Sequence, residues 1–511
     1  MTSVAESTPR SIRIWLLAVV LLFVAVMGVR AAVTLGRFTV RIAAPGPNSV
    51  GEAGKVYFAN RFQHGESIFV GPHEPPYYPS AHGPLLHATV GLIGRWMEAD
   101  IQQLYYIGRA VSALSTLAAL SIMMILLRRL GAAWPWIAAA VAVFFALDTV
   151  VYHAISYRGD HWQLALTFAA CYLIATRYDR PWALALAAAL PVISFYVKVP
   201  GIAAAGAVVI ALAGLGRWRA AVACAIGSVA LILLSWWLLG MAVGPAFARG
   251  FAGGLGVSIS FTQAVACLAV PELWLPLLLP IVVAHRARPH GDPAAQTRFV
   301  LTVFWAVSFI ASFVAAMRLG SNAYYFVEPL CFGLILSIDW LAEQVQRRKT
   351  WPHAAQLALI ALVSLYCIQA VPTAIKIVTT PRRDVALVET DWFSDDRQTI
   401  AQIVNDRQLR CFSDDPGLNV LLGSPQVIDP MVQRHLIDAG TLAMSTMVEP
   451  VGQQAYDLIV LTGTPWSYHG EPALPESFMQ ALDTQYERQP TPTRLLVFKP
   501  RSRAFLEPGP R

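Results

Sequence analysis

Four ionisable positions stand at the edges of long apolar blocks: Glu52, Asp160, Lys198 and the segment from Arg318 to Glu328. Charged side chains in or beside a bilayer are costly and usually serve function. Glu52 lies in Asn48-Ser-Val-Gly-Glu52-Ala-Gly-Lys55. It is either the acid of a capping box opened by Ser49 or a general base. Asp160, in Tyr157-Arg158-Gly159-Asp160-His161-Trp162, precedes an apolar block. A helix dipole favours an acid there, and Arg158 and His161 turn the position into a charged cluster. Lys198 sits at the tip of a hairpin with two apolar arms. It either snorkels to the interface or sets a fixed cation beside a lipid phosphate. In Arg318-Leu-Gly-Ser-Asn322-Ala-Tyr324-Tyr325-Phe-Val-Glu328-Pro329, Glu328 falls about one turn inside a helix. Pro329 is expected to interrupt that helix and free a carbonyl lining a cavity. His64, His73, His82 and His87 lack ligand spacing and read as loop histidines.

These groups need a membrane to make sense. The chain has 511 residues, 56% hydrophobic and 14% charged, against about 25% charged in soluble domains. Ala220 to Ala248 and Val199 to Gly216 carry no charged residue, and about 20 apolar residues cross a bilayer. The net charge of +7 resides largely in short clusters between apolar blocks, such as Arg128/Arg129, Arg177/Arg180 and Arg217/Arg219. Such clusters orient spans, and the absence of a basic stripe with aromatics argues against nucleic acid. Six scattered cysteines build neither a metal site nor a disulfide framework.

Apolar blocks predict spans near 13–36, 103–127, 134–152, 162–176, 182–197, 199–216, 220–240, 264–285, 299–317, 324–344 and 354–373. Val29-Arg30-Ala31-Ala32 is a poor cleavage site, so the first block reads as an uncleaved span. Arg177/Arg180 and Arg217/Arg219 must lie on one side, which requires a hairpin turning at Lys198-Val-Pro-Gly201. The fold class expected is a helical polytopic membrane protein of about eleven spans, N-terminus cytoplasmic, with a small C-terminal α/β domain on the outer face. Residues 1–375 form the membrane module, with an outer loop at 37–100 and an interfacial helix within Leu85 to Met97; residues 376–511 form the soluble domain. In that domain Gln398–Val404 reads as helix, Leu409–Phe412, Tyr456–Leu461 and Leu495–Phe498 as strands. Asp415-Pro416 and Asp429-Pro430 read as helix starts.

The loop from Glu52 through Tyr57, Arg61 and Gly65 to Tyr78-Pro79 and His82-Gly83-Pro84-Leu85-Leu86 resembles the first outer loop of GT-C superfamily glycosyltransferases. It is similar to the bacterial branch of protein O-mannosyltransferases and lipid A aminoarabinose transferases. Tyr157-Arg158-Gly-Asp160 resembles their second-loop motif, Phe195-Tyr-Val-Lys198 their hairpin lysine, and Asn322 to Pro329 their late tyrosine–proline motif. Gly51-Glu52 replaces the acidic pair of many members, and Gly159 their second-loop proline. The resemblance implies a polyprenyl-phosphate sugar donor at the outer leaflet of the bacterial inner membrane, an extracytoplasmic acceptor and inverting transfer. On that reading Glu52 is the general base, and Lys198, with Arg158 or Arg318, neutralises the departing phosphate. Asp160 orients the acceptor or Lys198, or holds a divalent metal ion with Glu52; no cofactor is certain. Tyr57, Tyr78 and Tyr325 stack on sugar, and His82, Asn322 and Glu328 are further candidates for substrate binding. The rival reading is a lipid-linked-sugar flippase or other transporter, but the sequence lacks the internal repeats many transporters show.

Overall fold

The computed structural model describes residues 25–346 and 394–501, less short internal stretches, the longest being 78–82, 249–258 and 463–466. Its helices follow the apolar blocks. In chain order they are α1 (Ala25–Gly36), α2 (Val50–Gln63), α3 (Pro84–Met97), α4 (Ile101–Arg129), α5 (Trp134–Ala146), α6 (Asp148–Ala154) and α7 (Asp160–Arg177). There follow α8 (Pro181–Val197), α9 (Ala203–Gly214), α10 (Trp218–Val243), α11 (Phe261–Leu268), α12 (Trp274–Val283), α13 (Pro293–Ala316) and α14 (Val327–Gln346). Among the described residues four helical stretches, α4, α10, α13 and Ala323–Glu343, are long and apolar enough to cross a membrane. The blocks at 134–152 and 264–285 are broken into α5/α6 and α11/α12. The expected span at 354–373 lies outside the described residues.

Packing groups the chain into two compact units. One holds Met1–Ile42, Ala110–Leu234 and Ser260–Val385; the other holds Ala43–Arg109, Ser235–Ile259 and Ala386–Arg511. The sequence division at 375/376 keeps loop 37–100 with the membrane module, whereas packing groups residues 43–109 with the C-terminal ones.

In the first unit the α8–α9 hairpin turns through extended Lys198 and a 3-10 turn at Val199–Ile202. The Lys198 amide donates to the Ser194 carbonyl at 2.8 Å, and the Gly201 amide to the Lys198 carbonyl at 2.9 Å. A Cβ at Gly201 would stand 2.1 Å from Ser194 Oγ, so the turn is tight enough to demand glycine. Pro329 does not interrupt its helix. It occupies the first turn of α14, where a missing N–H breaks no helical hydrogen bond. Further along, a Cβ at Gly333 would lie 1.8 Å from the Pro276 carbonyl oxygen, so α12 and α14 meet backbone to backbone. Gly333→Ala should therefore cost at least about 2 kcal/mol by overpacking. A thermal midpoint in detergent equal to that of the unaltered chain would refute this.

In the second unit α3 lies on α2 through Gly91, whose Cβ would stand 2.5 Å from the Ala59 carbonyl oxygen. Leu86, His87 and Val90 are buried on α3, while Leu92 and Met97 are exposed and Trp96 is 85% exposed. His87 is thus a buried helix residue against Phe58, not a loop histidine. The C-terminal part carries α15 (Ser394–Asp406), α16 (Pro416–Leu421), α17 (Pro430–Asp438), α18 (Ser445–Gly452) and α19 (Glu476–Gln485). Its strands are β1 (Cys411–Ser413), β2 (Leu458–Leu461), β3 (Ser467–Tyr468), β4 (Glu471–Pro472), β5 (Tyr486–Gln489) and β6 (Leu496–Pro500). The main sheet has the order β1-β2-β6-β5, with β1 parallel to β2 and the other pairs antiparallel. Phe412, Ile459, Phe478 and Leu482 fill one face, and Leu418, Leu458 and Val460 the other. Asp415 caps α16, accepting from the amides of Gly417 at 2.8 Å and Leu418 at 3.2 Å.

Beside that cap, burial pushes the Asp414 carboxyl up to about 7, against hydrogen bonds from the Thr462 amide and hydroxyl at 2.8 and 3.0 Å. The folded chain keeps a proton there that the unfolded chain releases above its ordinary value of 3.8. Stability from this group is therefore full at low pH and is lost as pH rises towards 7, by at most about 4 kcal/mol. Asp414→Asn should flatten the thermal midpoint of the full-length chain between the carboxyl's ordinary value of 3.8 and about 7, the range set by that shift. A variant as pH-dependent as the parent would contradict this origin.

Candidate functional site

In the first unit, charged and aromatic groups gather where α7 begins and α8 ends. Asp160 is the first residue of α7 and Lys198 the residue that ends α8. Lys198 Nζ donates to Asp160 Oδ1, and both side chains are nearly buried. Lys198 Nζ also stands 4.6 Å from the Tyr325 ring centroid and 5.5 Å from that of Tyr324. The Arg158 guanidinium lies 4.8 Å from the Tyr324 ring, and His153 meets the same ring edge-on at 4.4 Å. Ser112 on α4 fixes the Arg158 backbone, its hydroxyl donating to the carbonyl at 3.0 Å and accepting from the amide at 3.2 Å. An ammonium has three N–H donors and an aspartate takes one, so Lys198 can still serve an anion. Two cations, a carboxylate and two tyrosines at a helix start form a place where a phosphate is chemically at home.

Glu328 has a different setting. Its Oε2 accepts from Gln163 at 2.7 Å and Thr167 at 3.3 Å, and its Oε1 accepts from Ser308 at 2.6 Å. Three neutral donors from α7 and α13 thus hold a buried carboxylate on α14, which ties three helices together.

In the second unit Glu52, on α2, and Arg109, on α4, are fully buried and paired through two bonds. Arg109 Nη2 meets Oε2 at 2.9 Å and Nε meets Oε1 at 3.3 Å. The same guanidinium donates through Nη1 to the Ala44 carbonyl at 2.6 Å and through Nη2 to the Gly46 carbonyl. Its planar fork matches a carboxylate on one edge and a loop of carbonyls on the other. Tyr57, one and a half turns beyond Glu52, accepts from Arg61 Nη1 at 3.2 Å.

Of the residues singled out by sequence, Arg158, Asp160, Lys198 and Tyr325 come together in the first unit, while Glu52 and Tyr57 belong to the second. Asn322 is exposed and its side chain accepts from the Ala323 amide at 2.6 Å. Arg318 is half-buried at the end of α13. Tyr78 and His82 lie outside the described residues. The sequence reading missed Arg109 and His153. Arg109 did leave a signal, as a lone arginine early in the apolar block of α4. His153 left none, because its partner Tyr324 is remote in the chain.

Among the described residues no three His, Cys, Asp or Glu side chains gather as metal ligands. Glu52 and Asp160, the pair the sequence offered for a divalent ion, each bind a buried cation.

No family model matches the chain, and no curated protein sequence does. Solved structures do match. ArnT from Cupriavidus metallidurans, solved with undecaprenyl phosphate bound, aligns over 94% of this chain and 97% of its own, at 14% identity and a TM-score of 0.56. The mycobacterial arabinofuranosyltransferase AftD aligns over 92% of this chain at 15% identity and a TM-score of 0.50, and this chain spans 39% of AftD. This chain shares their fold. The resemblance read from the loop motifs and the shared fold agree.

Proposed function

We propose that this chain is an integral membrane glycosyltransferase that moves a sugar from a polyprenyl-phosphate donor to an extracytoplasmic acceptor with inversion. The observation that carries the reading is the group of Lys198, Arg158, Asp160, Tyr324 and Tyr325, two cations and two rings around one carboxylate. The fold supports it, since ArnT shares it and was solved holding a polyprenyl phosphate. Lys198 and Arg158 would balance the charge that grows on the phosphate oxygen as its bond to the anomeric carbon breaks. Asp160 would keep Lys198 aimed, and Tyr325 would bind the sugar beside it. An acceptor hydroxyl attacks the anomeric carbon and its proton passes to Glu52. Arg109 holds both oxygens of that carboxylate and would fix its orientation towards the proton. Polyprenyl phosphate then departs. The basic clusters support eleven crossings, with the N-terminus in the cytoplasm of a bacterial inner membrane and residues 376–511 in the periplasm.

The test is to incubate the protein in detergent with radiolabelled polyprenyl-phosphate sugars and an extract of envelope acceptors. Label should leave the lipid and appear on acceptor with the opposite anomeric configuration. Label that stays on the lipid and merely crosses a reconstituted bilayer would replace this reading with a transporter.

A further inference from the structure

The C-terminal residues contribute an ion pair that reaches the surroundings of Glu52. Arg397, on α15, donates through Nε to Asp415 Oδ2 at 2.8 Å. Asp415 is 1% exposed, and its other oxygen caps α16. Arg397 lies across the start of that helix so closely that a Cβ at Gly417 would stand 2.9 Å from its Nε. The far end of the same guanidinium stands beside Gly46: a Cβ there would be 3.7 Å from Arg397 Nη1. Gly46 has φ +74°, a left-handed conformation natural to glycine, and its carbonyl is one of the two that Arg109 grips. Arg109 in turn holds both oxygens of Glu52. Helix α16 packs on α2, the helix that carries Glu52. The buried Tyr105 ring, 5.4 Å from Arg109, lies in the field of all four charged groups, Glu52, Arg109, Arg397 and Asp415.

We infer that Arg397 and Asp415 are a positioning pair for the transfer reaction: they fix Gly46, whose carbonyl holds Arg109, which aims Glu52. The inference rests on the reading of Glu52 as the base. The soluble C-terminal part then completes the environment of the base, as well as whatever acceptor it meets. Neither Arg397 nor Asp415 touches the reacting atoms. Their effect is on orientation, where a misplacement of about 1 Å costs roughly 100-fold in rate.

The test compares Arg397→Ala, Asp415→Asn, the double variant and Glu52→Gln in the full-length chain, with kcat and KM for the lipid donor measured separately. Asp415→Asn keeps an oxygen to cap α16 and loses the charge that holds Arg397, so it folds while freeing the pair. Each single variant should lower kcat by about 10-fold or more and leave the donor KM within about twofold. The double variant should be no slower than the worse single one, because the two residues act as one unit. Unchanged kcat in both single variants, with Glu52→Gln inactive, overturns the pair and spares the base. Losses that multiply in the double variant, or that fall on KM instead of kcat, also overturn it and leave a general structural role. Full activity in Glu52→Gln overturns the reading of the base and the inference with it.

Discussion

Lys198→Met should reduce transfer from a polyprenyl-phosphate donor by about 100- to 1,000-fold in kcat/KM, the loss typical of removing one group that meets developing charge. Methionine keeps the length of the side chain and removes only the ammonium. The substitution also strands Asp160, which is 8% exposed and bonded to Lys198. An unpaired buried charge costs about 3–5 kcal/mol, so the single variant should also unfold earlier. Adding Asp160→Asn separates the two effects. The double variant should recover most of the thermal midpoint and none of the activity, as initial rates and unfolding in detergent would reveal. Recovery of both would make Lys198 a structural partner of Asp160 and nothing more.

Arg109→Met should produce the largest loss of stability from any single change in the second unit, about 3–5 kcal/mol. It removes the cation that bonds both oxygens of the fully buried Glu52 carboxylate, and the donor to the carbonyls of Ala44 and Gly46. Pairing it with Glu52→Gln should return only part of the loss, because an unsatisfied buried carbonyl still costs about 1–3 kcal/mol. The comparison is made by thermal unfolding of the full-length chain. Complete recovery in the double variant would mean that the carbonyls of Ala44 and Gly46 find other donors, and that their grip on Arg109 contributes little.

Both pairs show where sequence reading succeeded and where it stopped. Lys198 and Asp160 were legible singly, because a lone charge at the end of an apolar block is conspicuous at any distance from its partner. Their pairing entered only as one alternative implied by the resemblance, that Asp160 orients Lys198, since 38 residues separate them and helical periodicity carries no information across a turn. Arg109 was missed although a lone arginine in an apolar block is a signal, and Glu52 lies 57 residues away, so the pair that joins α2 to α4 stayed hidden. Asp415-Pro416 announced the start of α16 correctly because a cap and a first-turn proline are local signals. Glu328-Pro329 used the same local vocabulary and was misread. The proline sits in the first turn, and the glutamate is held by Gln163, 165 residues earlier. Strands β2 and β6 were readable as apolar runs, whereas β5, with Glu487, Arg488 and Gln489, has no apolar pattern and forms because β6 offers it an edge.

The central claim is that the group around Lys198 recognises the phosphate of a lipid carrier. The most direct measurement is equilibrium binding of undecaprenyl phosphate and of undecaprenol, which differ only in the phosphate, to the unaltered chain and to Lys198→Met. The phosphate should bind at least about 10-fold tighter than the alcohol, a difference of about 1.4 kcal/mol, and Lys198→Met should erase that preference while binding the alcohol as before. Equal binding of phosphate and alcohol by the unaltered chain would contradict the account at its root.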